Sequence, residues 1–309
     1  MSLKPTKNIW FNGELVPWED AKVHVLSYAL HYGSAVFEGI RAYKTPDGTK
    51  IFRLKEHCKR LLNSAKIYRM KVPYDLDEIM NACRLIVTSN DLNNGAYIRP
   101  IAFRGYGDLG LHASLDEEVE TVIAAWEWGP YLGKESAESG VDVCISSWSK
   151  IAPNTIPVMA KASGNYLSGT LVAFEAKENG YDEGICLDSN GMVSEGAGEN
   201  IFLVKDDKIY TPPLSSSVLD GITRDSVIKI ADSIGYSVSE KEIPREQLYL
   251  ADELFFTGTA AEITPIKSVD RLMIANGTKG PVTDQIQKIF FGLFDGTVSD
   301  EWGWLDSVE

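Results

Sequence analysis

The segment Ser194-Glu195-Gly196-Ala197-Gly198-Glu199-Asn200 places two acids among three small residues and distinguishes between two fold classes. Gly196-x-Gly198 begins the G-x-G-x-x-G pattern of dinucleotide-binding loops, but Ile201 stands at the third glycine position and a strand-like run follows where that loop needs a helix. A doubly wound dinucleotide-binding fold is therefore rejected. Two interpretations remain: a polar turn between strands, or a backbone that approaches a flat ligand while a carboxylate faces its ring.

Short strands are predicted on both sides of this stretch. Residues 183–188 and 192–195 have the pattern of a hairpin, and residues 200–205 and 208–211 have the pattern of a second one, so we expect a four-stranded meander. A helix that carries Leu167, Leu171 and Phe174 is predicted to stop at Gly180. Further helices are predicted from Ile222 to Gly235 and over residues 282–294, with strands over 255–266.

The N-terminal part has a different pattern. Asn12-Gly13 favours a tight hairpin turn, and apolar residues recur at helical spacing over residues 54–65 and 76–87. Residues 96–103 and 119–126 are typical of buried strands. The sequence thus predicts an α/β (α+β) chain with a small α+β domain over residues 1–132, a linker over 133–140 and a larger mixed domain over 141–309.

Composition excludes several function classes. The net charge of -14 and the pI of about 4.8 argue against general binding to nucleic acid or anionic membranes. The chain has no signal-like or membrane-spanning apolar run, so we expect a cytoplasmic protein. Four widely spaced cysteines indicate reduced core thiols, and the histidine spacing predicts no structural metal.

One lysine has a setting that suits chemistry. Lys161 lies in Val158-Met159-Ala160-Lys161-Ala162-Ser163-Gly164, among small and apolar neighbours with no adjacent carboxylate to hold its charge. A lysine nucleophile must be deprotonated part of the time, and partial burial favours that state. Two turns also resemble anion sites: Gly221-Ile222-Thr223-Arg224 opens a helix, and Gly258-Thr259-Ala260-Ala261 could form a nest of N–H groups. Taken alone, each segment is better explained as an ordinary cap or turn, and it is their coexistence that points to an anion site.

Taken together, seven motifs in the same order resemble those of the bacterial branched-chain amino-acid aminotransferases, which are fold-type IV pyridoxal-phosphate enzymes. The motifs are I-W-F-N-G-E, H-Y-G-S-A-V-F-E-G-I-R, A-Y-I-R-P, A-P-N-T-I-P, S-E-G-A-G-E-N, G-I-T-R and G-T-A-A-E-I-T-P, which begin at residues 9, 31, 96, 152, 194, 221 and 258. The resemblance covers the chain from end to end. It implies reversible transamination between L-leucine, L-isoleucine or L-valine and 2-oxoglutarate by a ping-pong mechanism.

The resemblance also implies roles for individual residues. Lys161 would form the Schiff base with pyridoxal 5'-phosphate, Glu195 would pair with the pyridine nitrogen, and Tyr166 would bind the phenolic oxygen. The phosphate and ring would be bound by Arg60, Leu219, Ile222, Thr223 and Thr259. The substrate carboxylate would meet Tyr97, Thr259 and Ala260, and Arg99 would accept the distal carboxylate of glutamate. The side-chain pocket would consist of Phe37, Trp128, Tyr131 and Tyr166, with Tyr32 and Leu111 from a partner subunit.

Other activities remain open at the level of sequence. A D-amino-acid aminotransferase and an aminodeoxychorismate lyase share this fold type, and a noncatalytic binding protein could keep the cofactor as a structural ligand. The Y-I-R-P and E-G-I-R segments favour the branched-chain type. Because the family builds each pocket from two subunits, the resemblance also implies a homodimer or a higher homo-oligomer.

Overall fold

The structure is a computed structural model that describes residues 4–111, 118–129 and 136–309. Its strands are β1 (Asn8–Phe11), β2 (Glu14–Pro17), β3 (Ala35–Phe37), β4 (Ile40–Thr45), β5 (Gly48–Phe52), β6 (Ala96–Arg104), β7 (Val119–Trp126), β8 (Val141–Ile145), β9 (Glu183–Leu187), β10 (Val193–Gly196), β11 (Asn200–Lys205), β12 (Lys208–Thr211), β13 (Val238–Glu240), β14 (Glu253–Gly258), β15 (Glu262–Val269), β16 (Leu272–Met273) and β17 (Leu305–Ser307). Its helices are α1 (Tyr28–Tyr32), α2 (Leu54–Ile67), α3 (Leu76–Ser89), α4 (Ser136–Ser139), α5 (Tyr166–Glu178), α6 (Ile222–Ser233), α7 (Arg245–Tyr249) and α8 (Pro281–Asp295).

The chain divides into two compact units. The first unit comprises Met1–Trp128, Ala160–Gly164 and Phe294–Glu309, and the second comprises Gly129–Met159 and Asn165–Leu293. Each unit contains helices and a sheet, so the predicted α+β class is confirmed. The predicted linker lies partly outside the described residues, and the predicted boundaries stay a prediction.

The first unit is an antiparallel sheet covered by two helices. Its strand order is β17-β5-β4-β6-β7-β1-β2, and β3 pairs with β6. The predicted hairpin joins β1 to β2, where Asn12 and Gly13 both have positive φ, as a type I′ turn requires. Helices α2 and α3 bury the predicted apolar stripes in one core, and the Asp75 and Glu78 side chains form a capping box at the start of α3.

The second unit contains a mixed sheet with the strand order β10-β9-β8-β15-β14-β11-β12-β13, and β16 pairs with β15. Both predicted hairpins, β9–β10 and β11–β12, form. Their expected union into one meander is wrong, because β8, β15 and β14 lie between β9 and β11. Local turn signals determine hairpins, whereas the neighbour of a buried strand depends on long-range pairing.

Helix α5 forms where the sequence predicts it, but it buries the opposite face. Leu167 and Phe174 are 71% and 60% exposed, whereas Gly169, Val172 and Ala176 are buried. A side chain at Gly169 would collide with the backbone at Ala197, so a small residue there permits close packing. The large apolar residues of α5 are therefore left on the surface.

Two further predictions concern the cysteines and membrane-spanning helices. All four cysteines are buried free thiols, as predicted. In the part of the chain that the structure describes, no helix combines the length and the apolar character needed to cross a bilayer.

Candidate active site

Lys161 is fixed by its backbone to the first unit. Its N–H donates to the Ser64 hydroxyl of α2 at 2.9 Å, and its carbonyl oxygen accepts from the Phe37 N–H at 3.0 Å. The next residue, Ala162, forms an antiparallel bridge with Val36 of β3. The short segment that carries the lysine is thus held between a helix and a strand.

The amine of Lys161 has an altered proton affinity. Burial is the main reason that its pKa falls from 10.5 to about 8; the Arg60 guanidinium lowers it further, and the Glu38 carboxylate opposes this. Its Nζ lies 5.0 Å from the centroid of the Phe37 ring. A lysine with this pKa is neutral in a sizeable fraction of molecules near neutral pH, so it can act as a nucleophile and as a base.

Arg60 belongs to a buried ionic cluster that sequence reasoning missed. Its Nε and Nη2 donate to the two Glu38 carboxylate oxygens at 2.6 and 2.9 Å, and His57 Nδ1 lies 2.7 Å from Glu38 Oε2. Burial alone would raise the pKa of Glu38, but Arg60 and His57 outweigh it and hold that pKa well below its usual range. The only sequence signal was the position of Glu38 inside the H-Y-G-S-A-V-F-E-G-I-R motif.

Four residues predicted to bind substrate lie together in the first unit. The Arg99 Cζ lies 4.8 Å from the Phe37 ring centroid, and its Nη2 donates to the Tyr97 hydroxyl at 3.3 Å. The Tyr97 and Trp128 rings meet edge to face at 4.2 Å. A side chain at Gly39 would collide with the Tyr97 hydroxyl, which explains the glycine in F-E-G-I-R.

The residues expected to act from a partner subunit lie at the surface of this chain. Tyr32 is 43% exposed and Leu111 is 81% exposed. Tyr131, predicted for the same pocket, lies outside the described residues. Their contribution to the pocket of a partner subunit stays a prediction.

Glu195 is buried at the start of the glycine-rich stretch and has three donors around it. Lys150 Nζ lies 2.7 Å from its Oε1, and its Oε2 accepts from Asn200 Nδ2 at 2.9 Å and from the Leu219 N–H at 3.1 Å. Burial would lower the pKa of Lys150, but Glu195 outweighs burial and raises it. Lys150 was also missed, because a lysine in a loop is most often a solvated surface group.

The two predicted anion-binding turns both lie in the second unit, one at the start of helix α6 and one after strand β14. Ile222 and Thr223 are the first residues of α6, with Gly221 as its N-cap, and a side chain at Gly221 would collide with the Asn200 amide oxygen. Thr259 and Ala260 occupy the turn between β14 and β15. The N–H groups of a first helical turn favour an anion.

The predicted site residues therefore form two groups. Lys161, Arg60, Phe37, Tyr97, Arg99 and Trp128 belong to the first unit, and Tyr166, Glu195, Leu219, Ile222, Thr223, Thr259 and Ala260 belong to the second. Within the second group, Glu195 and Leu219 are joined directly by a hydrogen bond.

Residues 35–269 match the family model for amino-transferase class IV. The chain belongs to the class IV aminotransferases. This aminotransferase is 55% identical over 308 residues to the branched-chain-amino-acid aminotransferase of Escherichia coli strain K12, and the match covers 100% of this chain and 99% of that one.

Solved structures agree with the sequence matches. A crystal structure of the Escherichia coli branched-chain amino acid aminotransferase superposes with a TM-score of 0.97 at 55% identity, over 98% of this chain and 100% of that one. The branched-chain amino acid aminotransferase of Thermobaculum terrenum in its PLP-bound holo form gives a TM-score of 0.92 at 36% identity, over 99% of both chains. The expected family, the fold type and the enzyme class are confirmed.

Proposed function

We propose that this class IV aminotransferase transfers the amino group of L-leucine, L-isoleucine and L-valine reversibly to 2-oxoglutarate. The observation that carries the proposal is the Lys161 amine, partly buried beside Phe37 and with its pKa lowered to about 8. The full-length identity to a relative named for branched-chain amino acids supports the substrate class. The names of the relatives do not favour a D-amino-acid aminotransferase or an aminodeoxychorismate lyase.

Pyridoxal 5'-phosphate is the proposed cofactor. The donor set fits it: a lysine amine, a buried carboxylate at Glu195, a guanidinium at Arg60 and a helix start at Ile222 and Thr223. When bound, the protonated ring withdraws electrons from the substrate α-carbon. In this proposal Glu195 faces the ring nitrogen, and the remaining contacts come from Tyr166, Leu219 and Thr259.

Lys161 then has two tasks that follow from its own chemistry. As a neutral amine it would hold the cofactor, and its Nζ, once free, would move a proton to and from the substrate α-carbon. The backbone bonds to Ser64 and Phe37 keep the lysine in place between these tasks. A fixed base close to the reacting carbon reduces the entropy cost of each proton transfer.

Substrate recognition combines apolar rings with one cation. Phe37 and Trp128 of the first unit present aromatic rings that a branched aliphatic side chain prefers, and the resemblance adds Tyr166. Arg99 supplies the charge that a second carboxylate needs, and Tyr97 with the turn at Thr259 and Ala260 would bind the α-carboxylate. One pocket can thus accept leucine and glutamate in alternate half-reactions.

A homodimer in the cytoplasm is part of the same proposal. Tyr32 and Leu111 are exposed although the resemblance assigns them to a substrate pocket. Leu167 and Phe174 of α5 also present an apolar surface to solvent, which favours covering by another protein surface. A fully active monomer on a sizing column would contradict this part.

The test follows the visible spectrum of the purified protein with pyridoxal phosphate. L-leucine should abolish the band of the lysine-bound cofactor and 2-oxoglutarate should restore it, whereas D-alanine should leave it unchanged. K161A should show no such cycle, and K177A, at an exposed position of α5, should behave like the wild type. A response to D-alanine alone would identify the D-amino-acid enzyme, and an unresponsive band would indicate the lyase or the binding protein.

A further inference from the structure

A tryptophan that has no assigned role lies beside Arg99. In the β6–β7 pairing, Tyr97 is opposite Trp126 and Arg99 is opposite Ala124. These four side chains share one face of the sheet, because alternate residues of a strand point to the same side. Ala124 carries only a methyl group. On strand β7 the guanidinium of Arg99 therefore has the diagonal neighbour Trp126 as a large side chain within reach.

Aromatic rings surround the guanidinium. Its Cζ lies 4.8 Å from the centroid of Phe37, 5.3 Å from that of Tyr97 and 6.0 Å from that of Trp126. The Arg99 Nε is buried, and among the described residues no atom accepts a hydrogen bond from it. Ring faces therefore contribute to the stabilisation of the Arg99 charge.

We propose that Trp126 is a specificity-determining residue, which holds the Arg99 guanidinium against the aromatic rings whenever the substrate side chain is apolar. The inference rests on the proposed function, since it needs a pocket that accepts both a dicarboxylate and a branched-chain substrate. Trp126 acts through Arg99 and is not assigned a contact with the reacting atoms.

The two kinds of substrate differ in whether their side chain can neutralise the Arg99 charge. A distal carboxylate pairs with the guanidinium and satisfies its charge directly. An aliphatic side chain cannot do so, and a partly desolvated cation beside it costs free energy unless another group stabilises the charge. The indole ring is the side chain with the strongest attraction for a cation over its face. Loss of Trp126 should therefore weaken binding of apolar substrates more than binding of dicarboxylates.

The experiment measures equilibrium binding of two acids that lack an amino group and cannot be transaminated. Glutarate represents the dicarboxylate and 4-methylvalerate represents the leucine skeleton, and both are titrated calorimetrically into the cofactor-loaded protein. The variants are W126A, W126F and W126L, because leucine keeps apolar bulk without a ring. V122A, further along the same face of β7 and opposite Ile101, is the matched control.

W126A and W126L should each weaken 4-methylvalerate binding by about threefold to tenfold and change glutarate binding by less than about twofold. W126F and V122A should keep the wild-type ratio of the two dissociation constants to within about twofold. Equal weakening of both acids would assign Trp126 a merely structural role and overturn the inference, as would an unchanged ratio in W126L. Failure of the wild type to exchange L-leucine with 2-oxoglutarate would instead overturn the proposed function.

Discussion

The Nζ atom of Lys161 lies 5.0 Å from the centroid of the Phe37 ring, and the Phe37 N–H donates to the Lys161 carbonyl oxygen at 3.0 Å. One residue thus controls both the position of the lysine backbone and the surroundings of its amine. The ring is one of the groups close to the amine, which is desolvated by burial, and desolvation penalises the ammonium form. Burial makes the largest contribution to the pKa of Lys161, and it lowers that pKa.

F37A should raise the pKa of Lys161 from about 8 towards its ordinary value, because water would reach the ammonium group. The measurement is the pH dependence of reductive methylation in the cofactor-free protein, read by mass spectrometry at Lys161. The exposed Lys177 in the same digest controls for reagent strength. An unchanged pH profile would show that Phe37 does not desolvate the amine.

E38Q should lower the free energy of unfolding by about 3 kcal/mol, since it leaves the Arg60 guanidinium buried without its anion. Chemical denaturation measures this loss. R60M combined with E38Q should be less destabilised than the sum of the single variants, with a coupling energy on the order of 2 kcal/mol. Additive effects would mean that the two groups do not stabilise each other.

K150M should lower the free energy of unfolding by about 2 kcal/mol, because the buried Glu195 carboxylate would lose the cation that pairs with it. K150R keeps the charge and should lose less than about half as much. The comparison is made by denaturation of both variants at the same pH. Equal losses would attribute the effect to packing of the lysine stem and not to the ion pair.

The protein should lose stability as the pH rises from about 4.5 to about 8, in part because of Glu183. Burial and the nearby Glu199 carboxylate raise the pKa of Glu183 from 4.5 to about 8, so the folded chain binds a proton that the unfolded chain has released. E183Q should remove this pH dependence and be more stable than the wild type by on the order of 2 kcal/mol at pH 8.5. E178Q, at the exposed end of α5, is the control and should keep the wild-type slope. The same slope in E183Q would contradict the assignment.

Much of the local structure was accessible from the sequence. The Asn12-Gly13 hairpin and helices α2 and α3 lie where turn chemistry and apolar periodicity place them. These features depend on residues close in the chain, so a short window contains their cause. The motifs also identified the family, since seven of them occur in one order along the chain.

Features that depend on residues far apart in the chain could not be predicted from the sequence. The spacing of Leu167, Leu171 and Phe174 predicted helix α5 but not which face it buries, because the small residue Gly169 permits close packing on the other side. The four predicted strands formed two hairpins that are separated in the sheet. Periodicity fixes the type of an element, whereas its neighbours depend on the packing of the whole unit.

The secondary-structure pattern, the family and the candidate Lys161 could all be predicted from the sequence. The environment of that lysine depends on the tertiary structure: Glu38 pairs with both Arg60 and His57, Phe37 packs beside the amine, and Arg99 lies near Trp126. The pKa of an amine depends on burial and on charges within a few ångströms, and groups far apart in the chain supply both. No local window of sequence contains that information.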